Sequence, residues 1–139
     1  MTVPSFESVT VGDQPIHLTT EPVSRTTLAL YAGASGDHNP MHIDIDYAKK
    51  AGQSDVFAHG MLAMAYLGRA LTDWVPQSAI RSFTTRFTAI TRVGDQIVCT
   101  GKVAEKMEKD GEKQVRLEIT AANQNGEVKA AADAIVVLA

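Results

Sequence analysis

Four stretches in the second half of the chain alternate apolar and polar residues, which is the pattern of β-strands with one buried face. They cover residues 82–90, 96–107, 115–121 and 128–138. The last stretch is mostly small and apolar, which predicts a central strand. Asp110-Gly111 and Asn125-Gly126 are hairpin signals and Val93-Gly94-Asp95 is a further turn signal, so we predict an antiparallel meander.

Residues 59–74 form the clearest predicted helix, and Pro76 closes it. A helix that is apolar on nearly every side is normally buried rather than half-exposed. The apolar positions are Met61, Leu62, Ala63, Met64, Ala65, Tyr66, Leu67, Ala70 and Leu71.

The first half of the chain has weaker patterns. Residues 16–20 predict a short strand, and Ser24 is a candidate N-cap for a helix that Gly36 and the Asn39-Pro40 pair would end. A short turn of helix is predicted around residues 46–50, with Asp46 as its cap.

These elements predict an α+β fold in which one antiparallel sheet wraps around a long buried central helix. At 139 residues the chain fits one domain, which we assign to residues 1–139. An open sheet edge needs covering, so we expect pairing with a second subunit.

Composition narrows the functional classes. The net charge of −3 gives no electrostatic support for a role in nucleic-acid binding. No apolar run approaches the roughly 20 residues that span a bilayer, so we expect no membrane insertion. The N-terminal residues lack the basic and apolar regions of a signal peptide, and the lone Cys99 allows no intrachain disulfide, so we expect a cytoplasmic location.

The segment Gly36-Asp37-His38-Asn39-Pro40-Met41-His42 holds candidate chemistry. Pro40 argues against a helix, so Asp37 and His42 lie on a loop and could converge on one water as an acid–base pair. The alternative is a tight turn in which Asp37 and Asn39 bond their own backbone. The loop alone favours the turn.

A metal site is the third interpretation of this segment. His38 and His42 have the spacing of helical zinc ligands, and Asp37 and Asp44 could add carboxylates. Pro40 falls inside that spacing and disrupts the helical face on which such a site depends. We therefore predict that the protein binds no metal and no cofactor.

Ala58-His59-Gly60-Met61 opens the central helix. A helix N-terminus exposes unpaired N–H groups, and at Gly60 no side chain prevents a substrate carbonyl oxygen from approaching one. The alternative is that Gly60 only permits close packing. His59 could cap or orient the turn, and a structural role is favoured for it.

Residues 31–42, Tyr-Ala-Gly-Ala-Ser-Gly-Asp-His-Asn-Pro-Met-His, resemble the signature of the MaoC-like, (R)-specific enoyl-CoA hydratase family. Ala58-His59-Gly60-Met61-Leu62 resembles the segment that opens the central helix of that family's hot-dog fold. Val93-Gly94-Asp95 falls where the family turns between strands, so the resemblance covers nearly the whole chain.

The resemblance implies a hot-dog homodimer that reversibly hydrates trans-2-enoyl thioesters of coenzyme A to (R)-3-hydroxyacyl thioesters. Asp37 and His42 would carry the reaction, Asn39 would hold the loop, and the Gly60 N–H would bind the thioester carbonyl. Arg86, on the first long strand, is a candidate contact for the phosphates of coenzyme A or a carrier protein.

One position departs from the resemblance. Some short-chain hydratases have a serine in the central helix where this chain has Gly68. Residues 61–64 and 86–89 are more similar to catalytic subunits of dehydratases that act on 3-hydroxyacyl groups carried by acyl carrier protein, in a heterodimer with a second hot-dog chain. A hot-dog thioesterase would need an acid on the central helix, which has none before Asp73. A non-catalytic subunit would be expected to lack Asp37 or His42.

Overall fold

A computed structural model describes residues 2–139, and an antiparallel five-stranded sheet dominates it. The strands are β1 (Ile16–Thr19), β2 (Ile80–Phe87), β3 (Val98–Lys109), β4 (Glu112–Ala122) and β5 (Val128–Val137). The helices are α1 (Arg25–Ser35), α2 (Ile45–Lys50) and α3 (Gly60–Thr72), and single 3₁₀ turns cover Phe6–Ser8, Pro40–His42 and Gln77–Ala79. The predicted α+β class is confirmed.

The spatial order of the strands is β1-β3-β4-β5-β2. The predicted meander is confirmed for β3, β4 and β5, while β2 pairs with β5 rather than with its neighbour in sequence. β5 therefore lies inside the sheet, as its small apolar residues predict. Asp110 and Gly111, with φ of 53° and 76°, form a tight turn that pairs Lys109 with Glu112.

The short helix α2 begins one residue earlier than predicted. Oδ1 of Asp44 accepts the N–H groups of Asp46 and Tyr47. Asp46 is thus the second residue of the helix, and the prediction that it caps the helix is wrong. Asp44 can cap because its backbone is extended, as an N-cap requires.

The sheet wraps around α3, which packs against β1, β3, β4 and β5. Leu62, Leu67 and Leu71 lie on its buried side. The helix is not buried all round, however, because Met61 is 52% exposed and Ala65 and Arg69, one and two turns further on, are exposed too. The sheet covers only one side of the cylinder, so an apolar composition alone did not predict this open stripe.

Gly101 of β3 allows two large residues to meet under α3. It pairs with Ile16 on one side and with Ile119 on the other. A Cβ at this position would lie 3.0 Å from atoms of both isoleucines, which is closer than side chains normally pack. Glycine therefore lets the short edge strand β1 close over the core.

β1 and β2 are the two edges of the sheet. The longer edge strand, β2, exposes Phe87 beside the start of α3, where Met61 is also exposed. No helix among residues 2–139 is both long enough and apolar enough to cross a bilayer.

Candidate active site

The loop that carries the candidate pair starts where α1 ends. Gly36 is the C-cap of α1, with a left-handed φ of 75°, and its N–H donates to the carbonyl of Ala32. Glycine adopts this conformation without steric cost and turns the chain away from the helix axis. Asp37 follows directly, and its N–H donates to Oγ of Ser35 at 3.2 Å.

Two side chains then bond the backbone of the loop itself. Oδ1 of Asp37 accepts the N–H of Asn39 at 3.2 Å, and Oδ1 of Asn39 accepts the N–H of Met41 at 3.0 Å. Asn39 thereby caps the 3₁₀ turn Pro40–His42, whose first residue is a proline with no N–H to satisfy. These are the bonds that the turn interpretation predicts.

The same turn brings His42 back to Asp37. Oδ2 of Asp37 lies 4.0 Å from Nε2 of His42. This distance is too long for a hydrogen bond and short enough for a single water to bond both atoms. The turn and the acid–base pair are therefore compatible, since one carboxylate oxygen holds the loop while the other faces the imidazole.

A main-chain carbonyl fixes the orientation of the imidazole. Nδ1 of the buried His42 donates to the carbonyl oxygen of Phe57 at 2.7 Å. A carbonyl only accepts, so Nδ1 carries the proton and the neutral ring presents its lone pair at Nε2. The ring of Phe57 also packs edge-on against that of His42, at 5.3 Å between centroids.

A cavity of about 340 Å³ adjoins His42. It is lined by His42, Phe57, Ala58, Gly60, Phe87, Ala89, Ile90 and Thr91. Gly60 is the first residue of α3, so its N–H has no acceptor within the helix. His42 and a free N–H at a helix N-terminus thus border one largely apolar space.

The far wall of the cavity is anchored by a buried ion pair. Nζ of Lys129 donates to the carbonyl of Ile90 at 2.7 Å and lies 3.3 Å from Oδ2 of Asp95. The N–H of Ala58 donates to the carbonyl of Thr91, which ties that wall to the start of α3. The segment 90–95 is therefore held by Lys129 of β5 and by the main chain before α3.

His59 lies directly behind the pair. It is the N-cap residue of α3, but its side chain makes no capping hydrogen bond. Its Nε2 donates instead to the carbonyl of Asp37 at 3.1 Å, and its ring lies 3.9 Å from that of His42. Of the two roles considered for His59, the structure supports orientation of the loop rather than capping.

Asp37, His42 and His59 each offer one possible metal-ligand atom, and these three atoms lie within 4.8 Å of one another. His38 is exposed and is not a member, and Asp44 is engaged in capping α2. The histidine spacing considered for zinc is therefore not used, since only His42 of that pair faces Asp37. The absence of a bound metal stays a prediction.

Two other residues of interest lie away from the pair. Arg86 is on the outer face of the sheet, in a groove with Glu118 and Asp133. Its neighbour Phe87 faces Gly60, so strand alternation points Arg86 away from the cavity. Gly68 lies two turns beyond Gly60. A Cβ added at Gly68 would be 3.5 Å from Cε1 of Phe83.

Phe57 is a site residue that the sequence did not indicate. Its contribution to His42 is a main-chain carbonyl, which every residue type has, so no side-chain pattern reveals it. The contact between His59 and Asp37 joins residues 22 positions apart and depends on how α3 docks.

Comparisons with known proteins agree with this geometry. A family model described as "MaoC like domain" matches residues 6–125. The (R)-specific enoyl-CoA hydratase of Rhodospirillum rubrum is 34% identical over 90 residues, which are 60% of this chain and 62% of that protein. The mitochondrial 3-hydroxyacyl-[acyl-carrier-protein] dehydratase of Arabidopsis thaliana is 32% identical over 100 residues, 68% of this chain and 59% of that protein. The chain thus spans less than two thirds of either relative.

The structural likeness extends over almost the whole chain. The solved structure of the R-hydratase PhaJ1 from Pseudomonas aeruginosa, in the unliganded form, superposes with a TM-score of 0.85. The two chains are 28% identical, and the match covers 98% of this chain and 86% of the other.

Proposed function

This chain belongs to the MaoC-like domain family, and we propose that it reversibly hydrates trans-2-enoyl thioesters of coenzyme A to (R)-3-hydroxyacyl thioesters. Its fold is the predicted hot-dog arrangement, a sheet wrapped around a central helix, which it shares with the R-hydratase of P. aeruginosa. The observation that carries the proposal is the 4.0 Å separation of Asp37 Oδ2 and His42 Nε2, with His42 lining the cavity.

The proposed reaction needs one water and conserves protons. A water held between Asp37 and His42 loses a proton to the pair while its oxygen bonds to C3 of the enoyl group. The pair then returns one proton to C2 on the same face, and the C2–C3 double bond becomes single. Both side chains would contact the same water, so the two proton transfers are assigned to the pair and not to one residue.

The Gly60 N–H supplies the third requirement. Negative charge develops on the thioester oxygen as C3 is attacked, and a positioned backbone donor stabilises it. Gly60 presents such a donor at the N-terminus of α3, where the helix dipole acts in the same direction. Asn39 supports the loop through its bond to Met41.

The carrier is the finer part of the proposal. One relative is named for coenzyme A thioesters and the other for acyl carrier protein. Catalysis on the latter carrier, in the dehydration direction, is the second candidate function. The contact between Arg86 and the carrier phosphates stays a prediction, and Arg86 lies in a groove with Glu118 and Asp133. If it contacts phosphates, it does so from the outer face.

We propose a second copy of this chain as the partner. β2 leaves one edge free among the described residues, and exposed Met61, Phe87 and Ile90 lie beside that edge and the mouth of the cavity. Edge strands with exposed apolar neighbours are normally covered. A different hot-dog chain could cover the same edge, as in a heteromeric dehydratase.

The test is an assay of purified protein on crotonyl thioesters of both carriers. With the coenzyme A thioester, we expect loss of the enoyl-thioester absorbance and formation of the (R)-3-hydroxyacyl product. This should happen with the purified protein alone, without a second hot-dog chain. Release of free thiol instead would identify a thioesterase, although α3 has no acid among residues 60–72. Silence until a second hot-dog chain is added would favour the heteromer, and silence in every mixture would refute the enzyme.

A further inference from the structure

His59 is the most buried polar side chain at the site, with 1% of its surface exposed. The ring of His42 lies 3.9 Å from it with a tilt of 30°, and the ring of Tyr31 meets it edge-on at 4.9 Å. Its Nε2 reaches the carbonyl of Asp37. One side chain therefore contacts both members of the catalytic pair, each through a different group.

The hydrogen bonds of His59 fix its tautomer. A carbonyl oxygen only accepts, so Nε2 carries the proton that is shared with Asp37. Nδ1 is then an unprotonated acceptor, and it is buried with no hydrogen-bond partner among residues 2–139. Buried polar atoms of this kind are uncommon and call for an explanation.

We propose that His59 is a positioning residue, which as the neutral Nε2–H tautomer fixes the main chain of Asp37 and supports the ring of His42. This inference rests on the proposed function, because the geometry it maintains is that of the acid–base pair. The Nε2–H group holds the loop at Asp37, and the face of the ring supports His42. A neutral ring leaves only an acceptor unpaired at Nδ1, whereas a charged ring would bury an N–H there without an acceptor.

The neutral state follows from the groups around the ring. Burial is the main cause that lowers the pKa of His59, and the positive form of His42 lowers it further. The bond to the Asp37 carbonyl and the Asp37 charge act in the opposite direction and are outweighed. Tyr31 is uncharged here, since burial and the charge of Asp37 raise its pKa.

Neutrality has a functional consequence. Whenever His42 is positively charged, a positive His59 would place a second charge against the face of the same ring. Like charges at this separation oppose each other strongly in a buried site. A neutral ring avoids this repulsion and still holds the loop.

The first test needs no substrate. Nitrogen-15 NMR of the histidine side chains in the wild-type protein should show His59 as a neutral Nε2–H tautomer at about pH 7. Its signals are assigned by their loss in His59→Phe, or in His59→Gln should the first variant fail to fold. A charged ring or an Nδ1–H tautomer at this pH would overturn the proposal.

The second test separates the hydrogen bond from ring packing. His59→Phe keeps a ring beside His42 and removes the donor, whereas His59→Gln keeps a donor at the same number of bonds from the main chain and removes the ring. We expect kcat of His59→Phe to fall by about 10- to 100-fold, as for misplaced reacting groups, with a much smaller change in KM. His59→Gln should recover part of that loss.

A role in packing alone predicts the reverse order, with His59→Gln the more damaged variant. That order, or wild-type kcat in His59→Phe, would refute the positioning role. Inactive wild-type protein would refute the proposed function and with it any catalytic consequence of His59. The NMR result would still show whether the ring has the inferred state, so the two failures are distinguishable.

Discussion

The carbonyl oxygen of Phe57 accepts the Nδ1–H of His42 at 2.7 Å and thereby turns the other ring nitrogen toward Asp37. An acceptor at one ring nitrogen leaves the other free to take a proton, which is what a general base needs. Asp37 has a matching arrangement, since Asn39 holds one carboxylate oxygen and the other is free. In each reactive side chain, one polar atom makes a hydrogen bond that fixes its position, and the other faces its partner in the pair.

Replacing either reactive side chain should remove catalysis and preserve the fold. Asp37→Asn can still accept the N–H of Asn39 but carries no charge, and His42→Ala loses the imidazole of the pair. We expect kcat to fall by about 10²- to 10⁴-fold in each variant, as is typical for loss of a general acid or base. Hydration of crotonyl-CoA gives the rate and thermal unfolding gives the stability. Asp46→Asn, the same change at an exposed position on α2, should keep both; near-normal turnover in Asp37→Asn would contradict the mechanism.

Gly60→Pro should remove the proposed oxyanion donor with little disturbance of α3. Proline is favoured at the first position of a helix, and His59 already has the φ of −55° and ψ of 134° that a residue before proline adopts. We expect kcat to fall by about 10²- to 10³-fold, the usual effect of losing one such donor. Gly60→Ala is the matched control, since it keeps the N–H and its Cβ would lie 3.4 Å from Phe87, an ordinary contact. Equal rates in the two variants would exclude the donor role.

The protein should become less stable as the pH is lowered, partly because of His59. Its pKa in the folded protein is lowered from the ordinary value of 6.5, mainly by burial. As pH falls through 6.5, the unfolded chain binds a proton at this residue that the folded protein does not yet bind, so the free energy of unfolding decreases. Urea unfolding at about pH 7.5 and about pH 5.5 should show a smaller decrease for His59→Phe than for the wild type. Equal decreases would mean that His59 is not held neutral by the fold.

Breaking the buried ion pair behind the cavity should destabilise the protein strongly. Lys129 is 3% and Asp95 9% exposed at the side chain, so Lys129→Met leaves a buried carboxylate without its cation. We expect a loss of about 3 to 5 kcal/mol in the free energy of unfolding, measured with urea. The exposed pair of Lys102 and Glu118 is the control, and Lys102→Met should cost less than about 1 kcal/mol.

A second substitution gives this experiment a further check. Asp95→Asn in the Lys129→Met background removes the unpaired charge and should restore part of the stability. The amide can still accept the N–H of Arg92, which Asp95 accepts at 2.8 Å. No recovery would show that the loss came from packing of the Lys129 chain rather than from the buried charge.

The features that could be predicted from sequence are those encoded locally. Asp110 and Gly111 specify a tight turn by themselves, and Pro40 fixes the loop that returns His42 to Asp37. The alternation of residues 82–90 also predicts which way Arg86 points. Phe87 faces the helix, so Arg86 beside it must face the other side of the sheet.

The features that could not be predicted depend on distant parts of the chain. The apolar composition of α3 predicts burial on nearly every side, but how far the sheet curves around the helix decides that Met61 is exposed. The residue that caps α2 is Asp44, two residues before the predicted Asp46, which is within the ordinary uncertainty of helix boundaries. The contact of His59 with Asp37 exists only once α3 has docked beside the loop.

The sequence distances of these contacts have a consequence for folding. His42 is held by a carbonyl 15 residues away, Asp37 by a histidine 22 residues away, and the cavity wall by a lysine 39 residues away. Contacts across longer loops cost more entropy to close and tend to form later. During refolding, the proposed hydratase activity should therefore return with the closing of β5 onto β2 and not with the appearance of helix. A fragment that ends before β5 would retain both reactive residues and the start of α3, yet lack the lysine that fixes the cavity wall.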